Sequence, residues 1–214
     1  MKKSASMPLS VTNLVMGALE TNCYVIVDGT SGHSVVVDPA VDDDRILEIV
    51  RRGQGHLDAV WLTHGHYDHI GGAARLREET GSEVLIHRED ADMLGDPMMN
   101  GSAFFGSPVI CDGPCRFFRD GETLRVGAIP VRVIHTPGHS AGSVCFLSDT
   151  LLLSGDTLFR ESVGRTDLPG SSPQHLEASL RLQLLVLEDN VVVHPGHGPM
   201  TTIGHERSKN PFLR

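Results

Sequence analysis

Apolar positions along the chain fall into short aliphatic runs separated by Gly, Pro, Asp and Asn, the rhythm of strands joined by turns. In the first half these runs are Val11 to Met16, Cys23 to Val27, Ser34 to Val37, Ala59 to Leu62 and Val84 to Ile86, with Asp28-Gly-Thr-Ser-Gly32 as a hairpin link. A second series follows over Thr123 to Val126, Val131 to His135, Ser143 to Leu147, Thr150 to Leu153 and Val191 to Val193. Helical spacing marks Asp42 to Arg52, where Ile46, Leu47, Ile49 and Val50 are apolar behind an acidic first turn, and Ser172 to Leu187. A further helix starts at Gly71-Gly72-Ala73-Ala74-Arg75-Leu76. Each half passes through several strands, a helix and another strand, so residues 1–214 read as one domain built from two similar halves. Two mixed sheets packed face to face with helices outside accommodate that order, an α/β class.

Between the halves, residues 88–108 carry Met93, Met98, Met99, Phe104 and Phe105 among Gly, Pro and Asp. Apolar side chains in an irregular segment suit either a wall over a pocket or a loop tucked onto the core.

Composition narrows the function classes. Hydrophobic residues are 40% of the chain and aromatics only 5%, which implies an aliphatic core. The formal charge of −9 disfavours nucleic-acid binding. No run approaches the roughly 18 apolar residues of a membrane span, and the basic start Met1-Lys-Lys lacks a following apolar segment, so the expectation is a cytoplasmic protein acting on a small molecule. Four cysteines, Cys23, Cys111, Cys115 and Cys145, do not make a disulfide scaffold, and Cys111-Asp-Gly-Pro-Cys115 reads as an incidental loop.

The densest chemistry is His64-Gly-His66-Tyr67-Asp68-His69. Imidazole nitrogen and carboxylate oxygen are ligands shared by zinc, iron and manganese, and these four can surround one ion or two. The motif follows an apolar strand, at the edge where α/β sheets bind ligands. If a helix begins by Tyr67, His66 and His69 share a face while Asp68 points elsewhere, a divergence that suits two adjacent metals. A two-metal site needs about seven donors. His139 in His135-Thr-Pro-Gly-His139, Asp156 after Leu151-Leu-Leu-Ser-Gly155, and His197 in His194-Pro-Gly-His197 each follow an aliphatic strand in a Gly- or Pro-marked turn.

Together these segments resemble the metallo-β-lactamase fold superfamily, and within it the short glyoxalase II-type hydrolases. The residues carrying the resemblance are Thr63-His-Gly-His-Tyr-Asp-His69, Thr136-Pro-Gly-His139, Ser154-Gly-Asp156 and Pro195-Gly-His197. Thr21-Asn-Cys-Tyr24, Gly164-Arg-Thr-Asp167 and Asn210-Pro-Phe-Leu-Arg214 point to the glyoxalase-like branch. The resemblance implies an αββα sandwich with two divalent metal ions, zinc first and iron or manganese as alternatives. It places His64, His66 and His139 on one ion, Asp68, His69 and His197 on the other, and Asp156 between them. Asp68 would also orient the nucleophile. Asp38, ending its own strand on the same edge, is either a buttress for a ligating histidine or a plain turn residue. Arg165 and Asp167 either pair as a clamp or meet substrate. His87 and His135 are assigned to packing or hydrogen bonding, and His33, His56, His175 and His205 need no functional reading.

The implied reaction is hydrolysis of a thioester, typified by lactoylglutathione, through attack of a metal-bridging hydroxide. Glutathione enzymes of this type continue into a helical carboxyl-terminal segment beyond the position of Arg214, which leaves glutathione or another small thiol as the carrier. A mononuclear iron persulfide dioxygenase of the same fold is the alternative, since it shares a Gly-Arg-Thr-Asp segment. A non-catalytic metal-binding module is the reading from another class.

Overall fold

β-Branched and aromatic residues fill two six-stranded sheets, described for residues 9–213 apart from Gln54 in a computed structural model. In chain order the first sheet and its helices are β1 (Leu9–Met16), β2 (Thr21–Asp28), β3 (His33–Val37), α1 (Asp44–Arg52), β4 (His56–Trp61), α2 (Tyr67–Ile70), α3 (Ala73–Thr80), β5 (Glu83–His87) and β6 (Cys115–Phe118). The remainder are β7 (Thr123–Val126), β8 (Ile129–His135), β9 (Val144–Ser148), β10 (Leu151–Gly155), β11 (Leu158–Phe159), β12 (Ser162–Val163), α4 (Pro173–Ser179), β13 (Val192–Pro195), β14 (Thr201–Thr202) and α5 (Ile203–Lys209).

The first sheet runs β1 to β6 in spatial order, antiparallel over β1–β3 and parallel over β3–β6. The second runs β14-β13-β10-β9-β8-β7, with β10 and β13 its parallel pair. In both sheets, parallel strands release their loops at a common edge, and the candidate ligands collect there.

Alternation decides which residues meet between the sheets. Ile26, Val35, Val37, Trp61 and Leu85 pack against Val126, Val131, Val133, Phe146 and Leu153. The Trp61 and Phe146 rings lie 5.2 Å apart. On the outer faces Ile46, Leu47 and Val50 of α1 and Leu76 of α3 cover the first sheet. Leu176, Leu180, Leu184 and Ile203 cover the second. The architecture is the expected αββα sandwich.

Helix boundaries follow from caps. The Asp43 side chain accepts from the Arg45 amide at the start of α1, and Ser172 accepts from the His175 amide with Pro173 in the first turn of α4. The uninterrupted helix expected over Ser172–Leu187 is corrected at Ser179. The chain widens there into a π-helical turn over Leu180–Leu184, closed by Leu185 N–H donating to Leu180 C=O at 2.8 Å. Apolar spacing is nearly the same on both sides of that change, so it leaves no sequence mark.

Cys115 is the first residue of edge strand β6, a correction to the loop reading of Cys111–Cys115. Both cysteines are free thiols, and burial pushes the Cys111 thiol up. Among the described residues no helix is long and apolar enough to cross a membrane.

Candidate metal centre

Five strand ends deliver the site. Asp38 follows β3, His64 to His69 follow β4 and run into α2, His139 follows β8, Asp156 directly follows β10, and His197 follows β13. The two sheets are stitched together here: Val144 N–H donates to Thr63 C=O at 2.8 Å and Asn22 N–H to Gly196 C=O at 2.7 Å. Asn22 Nδ2 and Tyr24 OH both donate to the Pro195 carbonyl. The Thr21-Asn22-Cys23-Tyr24 segment thus fixes the turn that carries His197.

Side-chain nitrogens and oxygens converge in three groups, His64/His66/His139, His64/His69/Asp156 and Asp68/His69/His197, with ligand atoms within 4.8 Å of one another in each. Asp156 stands between the histidine sets, its carboxylate 3.5 Å from His69 Nε2, 3.5 Å from His139 Nε2 and 3.6 Å from His197 Nε2. Asp68 Oδ2 lies 3.3 Å from His197 Nε2 and 3.5 Å from His69 Nε2. Thr21 Oγ1 donates to the same oxygen at 3.1 Å. All seven residues proposed as ligands from the sequence come together.

The grouping corrects one step of the sequence reasoning. His66 is extended, with φ −70° and ψ 147°, and only precedes the helix. It therefore does not share a helical face with His69. His66 turns to His64 and His139, while Asp68 and His69 turn together to His197.

Outer hydrogen bonds set which ring nitrogen each histidine offers inward. His69 Nδ1 lies 2.9 Å from Asp38 Oδ2, His139 Nδ1 2.9 Å from the Arg165 carbonyl, and His197 Nδ1 3.0 Å from the Leu19 carbonyl. These acceptors require N–H at Nδ1, which turns Nε2 toward the cluster, where it offers a lone pair whenever the ring is neutral. Thr63 Oγ1 donates to Asp38 Oδ2 at 2.7 Å and so accepts from His64 Nδ1 at 3.0 Å. His66 instead turns Nδ1 inward, 2.9 Å from His139 Nε2. A shared proton or a cation reconciles two lone pairs at that distance.

Of four buried side-chain atoms lacking a partner among the described residues, three are His64 Nε2, His69 Nε2 and Asp156 Oδ1. Such orphans are rare in folded proteins, and their nitrogen and oxygen chemistry fits divalent cations. The electrostatics agree. Burial opposes charge on His69, yet Asp68, Asp156 and Asp38 outweigh it and raise its pKa to about 10. Burial and neighbouring His139 push His66 down to about 3. Burial would raise Asp68, but His69 and His197 hold its carboxyl well below the usual range. One side of the cluster is thus neutral nitrogen and the other carries excess negative charge, a combination a pair of cations balances.

Close backbone approach is built in at Gly196, where a Cβ would strike Asp156 Oδ1 and come within 2.9 Å of His69 Cε1. Asp38 holds a left-handed φ of 53°, a strained value for a non-glycine residue, and its carboxylate also accepts from Thr63 N–H at 2.7 Å. Asp38 is therefore a buttress in geometry.

Sequence reasoning missed Asp90. It is buried and accepts from Gly65 N–H, Ser140 Oγ and Gly142 N–H, tying the His64–His66 loop to the His139 loop. Nothing in an Asp within Arg88-Glu-Asp-Ala signals that role. Arg165 reaches the pocket, whereas Asp167 is absent from its wall and is occupied by the Arg165 guanidinium at 2.6 and 2.8 Å. His87 and His135 stack at 4.1 Å, the packing role expected for them.

A cavity of about 350 Å³ opens over the cluster, with His66, Asp68, His139, Asp156 and His197 at its polar end. Met98, Met99, Phe104 and Phe105 form one wall, so residues 88–108 act as a wall there while Met93 and Leu94 tuck into the core. The larger cavity, about 810 Å³ around Arg116 to Glu122, contains none of the convergent donors.

The sequence model of the Metallo-beta-lactamase superfamily matches residues 16–197, a span that includes all seven donors. The chain belongs to that superfamily. Its relatives include an uncharacterized protein of Mycobacterium leprae, 43% identical over 95% of this chain and 98% of that one. Hydroxyacylglutathione hydrolase GloC of Haemophilus influenzae is 32% identical over 96% and 98%. Among solved superfamily structures, BLEG-1 B3 metallo-beta-lactamase superposes with TM-score 0.89 at 37% identity, covering 95% of this chain and 99% of that chain. TTHA1623 in a di-iron-bound form gives TM-score 0.85 at 36% identity, covering 95% and 100%. ETHE1 from Myxococcus xanthus gives 0.79 at 29%, covering 94% and 83%. Members of the superfamily are mostly metal-dependent hydrolases.

Proposed function

We propose that the protein is a dinuclear metal-dependent thioester hydrolase, with S-2-hydroxyacylglutathione, lactoylglutathione in the first instance, as the substrate to test. The observation that carries this reading is that both donor sets are complete, with Asp156 between them. His64 Nε2, His66 Nδ1 and His139 Nε2 would hold one cation, and Asp68, His69 Nε2 and His197 Nε2 the other. Zinc, iron and manganese all suit such donors. Two divalent cations there would supply a water ionised near neutral pH and a Lewis acid for the substrate carbonyl.

The protein's own residues do the rest. Asp68, kept ionised by His69 and His197 and fixed by Thr21 Oγ1, accepts a hydrogen bond from the attacking water and orients it. Met98, Phe104 and Phe105 shield the polar end from bulk solvent. A thiol leaving group with pKa near 8.5 departs as thiolate without a dedicated acid. Likeness to GloC supports a thioester, and the di-iron form of TTHA1623 supports two filled sites.

A second reading, a mononuclear iron dioxygenase acting on a persulfide, draws on the likeness to ETHE1 and on Gly164-Arg-Thr-Asp167. The deciding experiment measures metal content together with lactoylglutathione cleavage. Oxygen uptake with glutathione persulfide is followed in parallel, and a β-lactam serves as control because of the BLEG-1 likeness. Two metals per chain with thioester cleavage support the hydrolase. One iron with oxygen uptake and sulfite overturns it.

A further inference from the structure

The pocket is built from two unlike ends. Beyond the donor cluster its wall is carbon: Met98, Phe104 and Phe105 on one side, Leu19, Phe159 and Leu168 on the other. Met98, Phe104 and Phe105 are 57%, 64% and 65% exposed, so much of their apolar surface faces the opening of the cavity. Phe105 stacks on Tyr67, with ring centroids 5.2 Å apart and planes 26° from parallel. Among the described lining residues Arg165 is the sole Lys or Arg, and its Nε and Nη2 donate to the Asp167 carboxylate, leaving only Nη1 outside that pair. The wall therefore offers the carboxylates of a peptide-like carrier a single guanidinium, already paired with Asp167, and offers carbon several hydrophobic surfaces.

We propose that the wall formed by Tyr67, Met98, Phe104 and Phe105 is an acyl subsite that selects thioesters carrying an uncharged, apolar acyl chain of medium length. The inference rests on the thioester reading above. A cavity of about 350 Å³ encloses the smaller arm of such a substrate, the acyl chain, while the thiol carrier runs out to solvent. Hydrolysis is balanced by water alone. The carbonyl carbon gains a bond to the water oxygen and loses its bond to sulfur, which leaves as thiolate, and the proton lost by the water passes to solvent.

The test uses acetyl, butanoyl and hexanoyl thioesters of N-acetylcysteamine, an uncharged thiol, beside lactoylglutathione, on the metal-loaded full chain. Burying a methylene is worth about fourfold in binding. With partial burial, kcat/KM for hexanoyl should exceed that for acetyl by at least about tenfold. In F104A/F105A that ratio should fall below about threefold, and in F105L it should persist. A flat chain-length series, or a ratio unmoved by F104A/F105A, overturns the subsite even if lactoylglutathione is cleaved, and leaves the thioester reading standing. If no thioester is cleaved the thioester reading fails, and binding of the carboxylates judges the subsite separately by calorimetry. Hexanoate binding at least about tenfold more tightly than acetate, with the difference lost in F104A/F105A, upholds an apolar subsite. Equal affinities overturn it.

Discussion

The imidazole of His69 is held at 2.9 Å by the carboxylate of Asp38, a residue whose backbone is strained into φ 53° to make that contact. Through Thr63 Oγ1 the same carboxylate also fixes His64. One aspartate outside the donor set therefore orients a histidine in each half of it.

For that reason D38N should fold normally, since Asn tolerates a left-handed φ, yet bind metal about 10- to 100-fold more weakly. Competition with a chromophoric chelator measures this. Unchanged affinity would show that Asp38 is only a turn residue.

Asp90 should matter for stability as much as for metal. In D90A three donors, Gly65 N–H, Ser140 Oγ and Gly142 N–H, lose their acceptor in a buried setting. Denaturant unfolding should show a loss of about 2–4 kcal/mol. A loss under 0.5 kcal/mol, roughly the effect of an ordinary surface substitution, would mean that water replaces the carboxylate without penalty.

At Gly196 the expected defect is steric. In G196A the new methyl pushes on Asp156 and His69, and turnover should drop on the order of 100-fold while the protein still folds. Wild-type turnover in this variant would disprove a tight fit between the backbone and the donors.

Much of this was legible from residue order. Aliphatic runs located the central strands because strands buried on both faces need uninterrupted Val, Leu and Ile. The seven donors stood out because they gather just past four such runs. Strands β11, β12 and β14, two residues each, carry too few positions for any period to show. Edge strand β6 exposes Arg116 and Phe117 and so lacks alternation. Backbone acceptors, Leu19 for His197 and Arg165 for His139, have no side-chain signature at all. Asp38 was readable as a candidate because it ends a strand. Asp90 lies in the short 3-10 helix Arg88–Leu94 and shows its role only when three segments converge.

Acid stability offers a check remote from the metal cluster. Asp28 accepts from Ser31 Oγ, Thr30 N–H and Ala128 N–H, which lowers its pKa to about 2. A lowered folded pKa means the stabilisation is complete above the unfolded value near 4 and disappears as pH falls toward 2. D28N should therefore cost about 1 kcal/mol at pH 7, with the gap to wild type closing between about pH 4 and pH 2. A gap that stays constant across that range would contradict the hydrogen-bonded carboxylate.

A dinuclear hydrolytic site stands or falls on metal content and lactoylglutathione cleavage measured on the same preparation, purified without added metal, for wild type, H66A and H197A. Two metal ions per wild-type chain are expected, with fewer than two in each variant and cleavage that falls with the loss of either ion. A single iron in the wild type, or full cleavage by H197A after it has lost an ion, would contradict it.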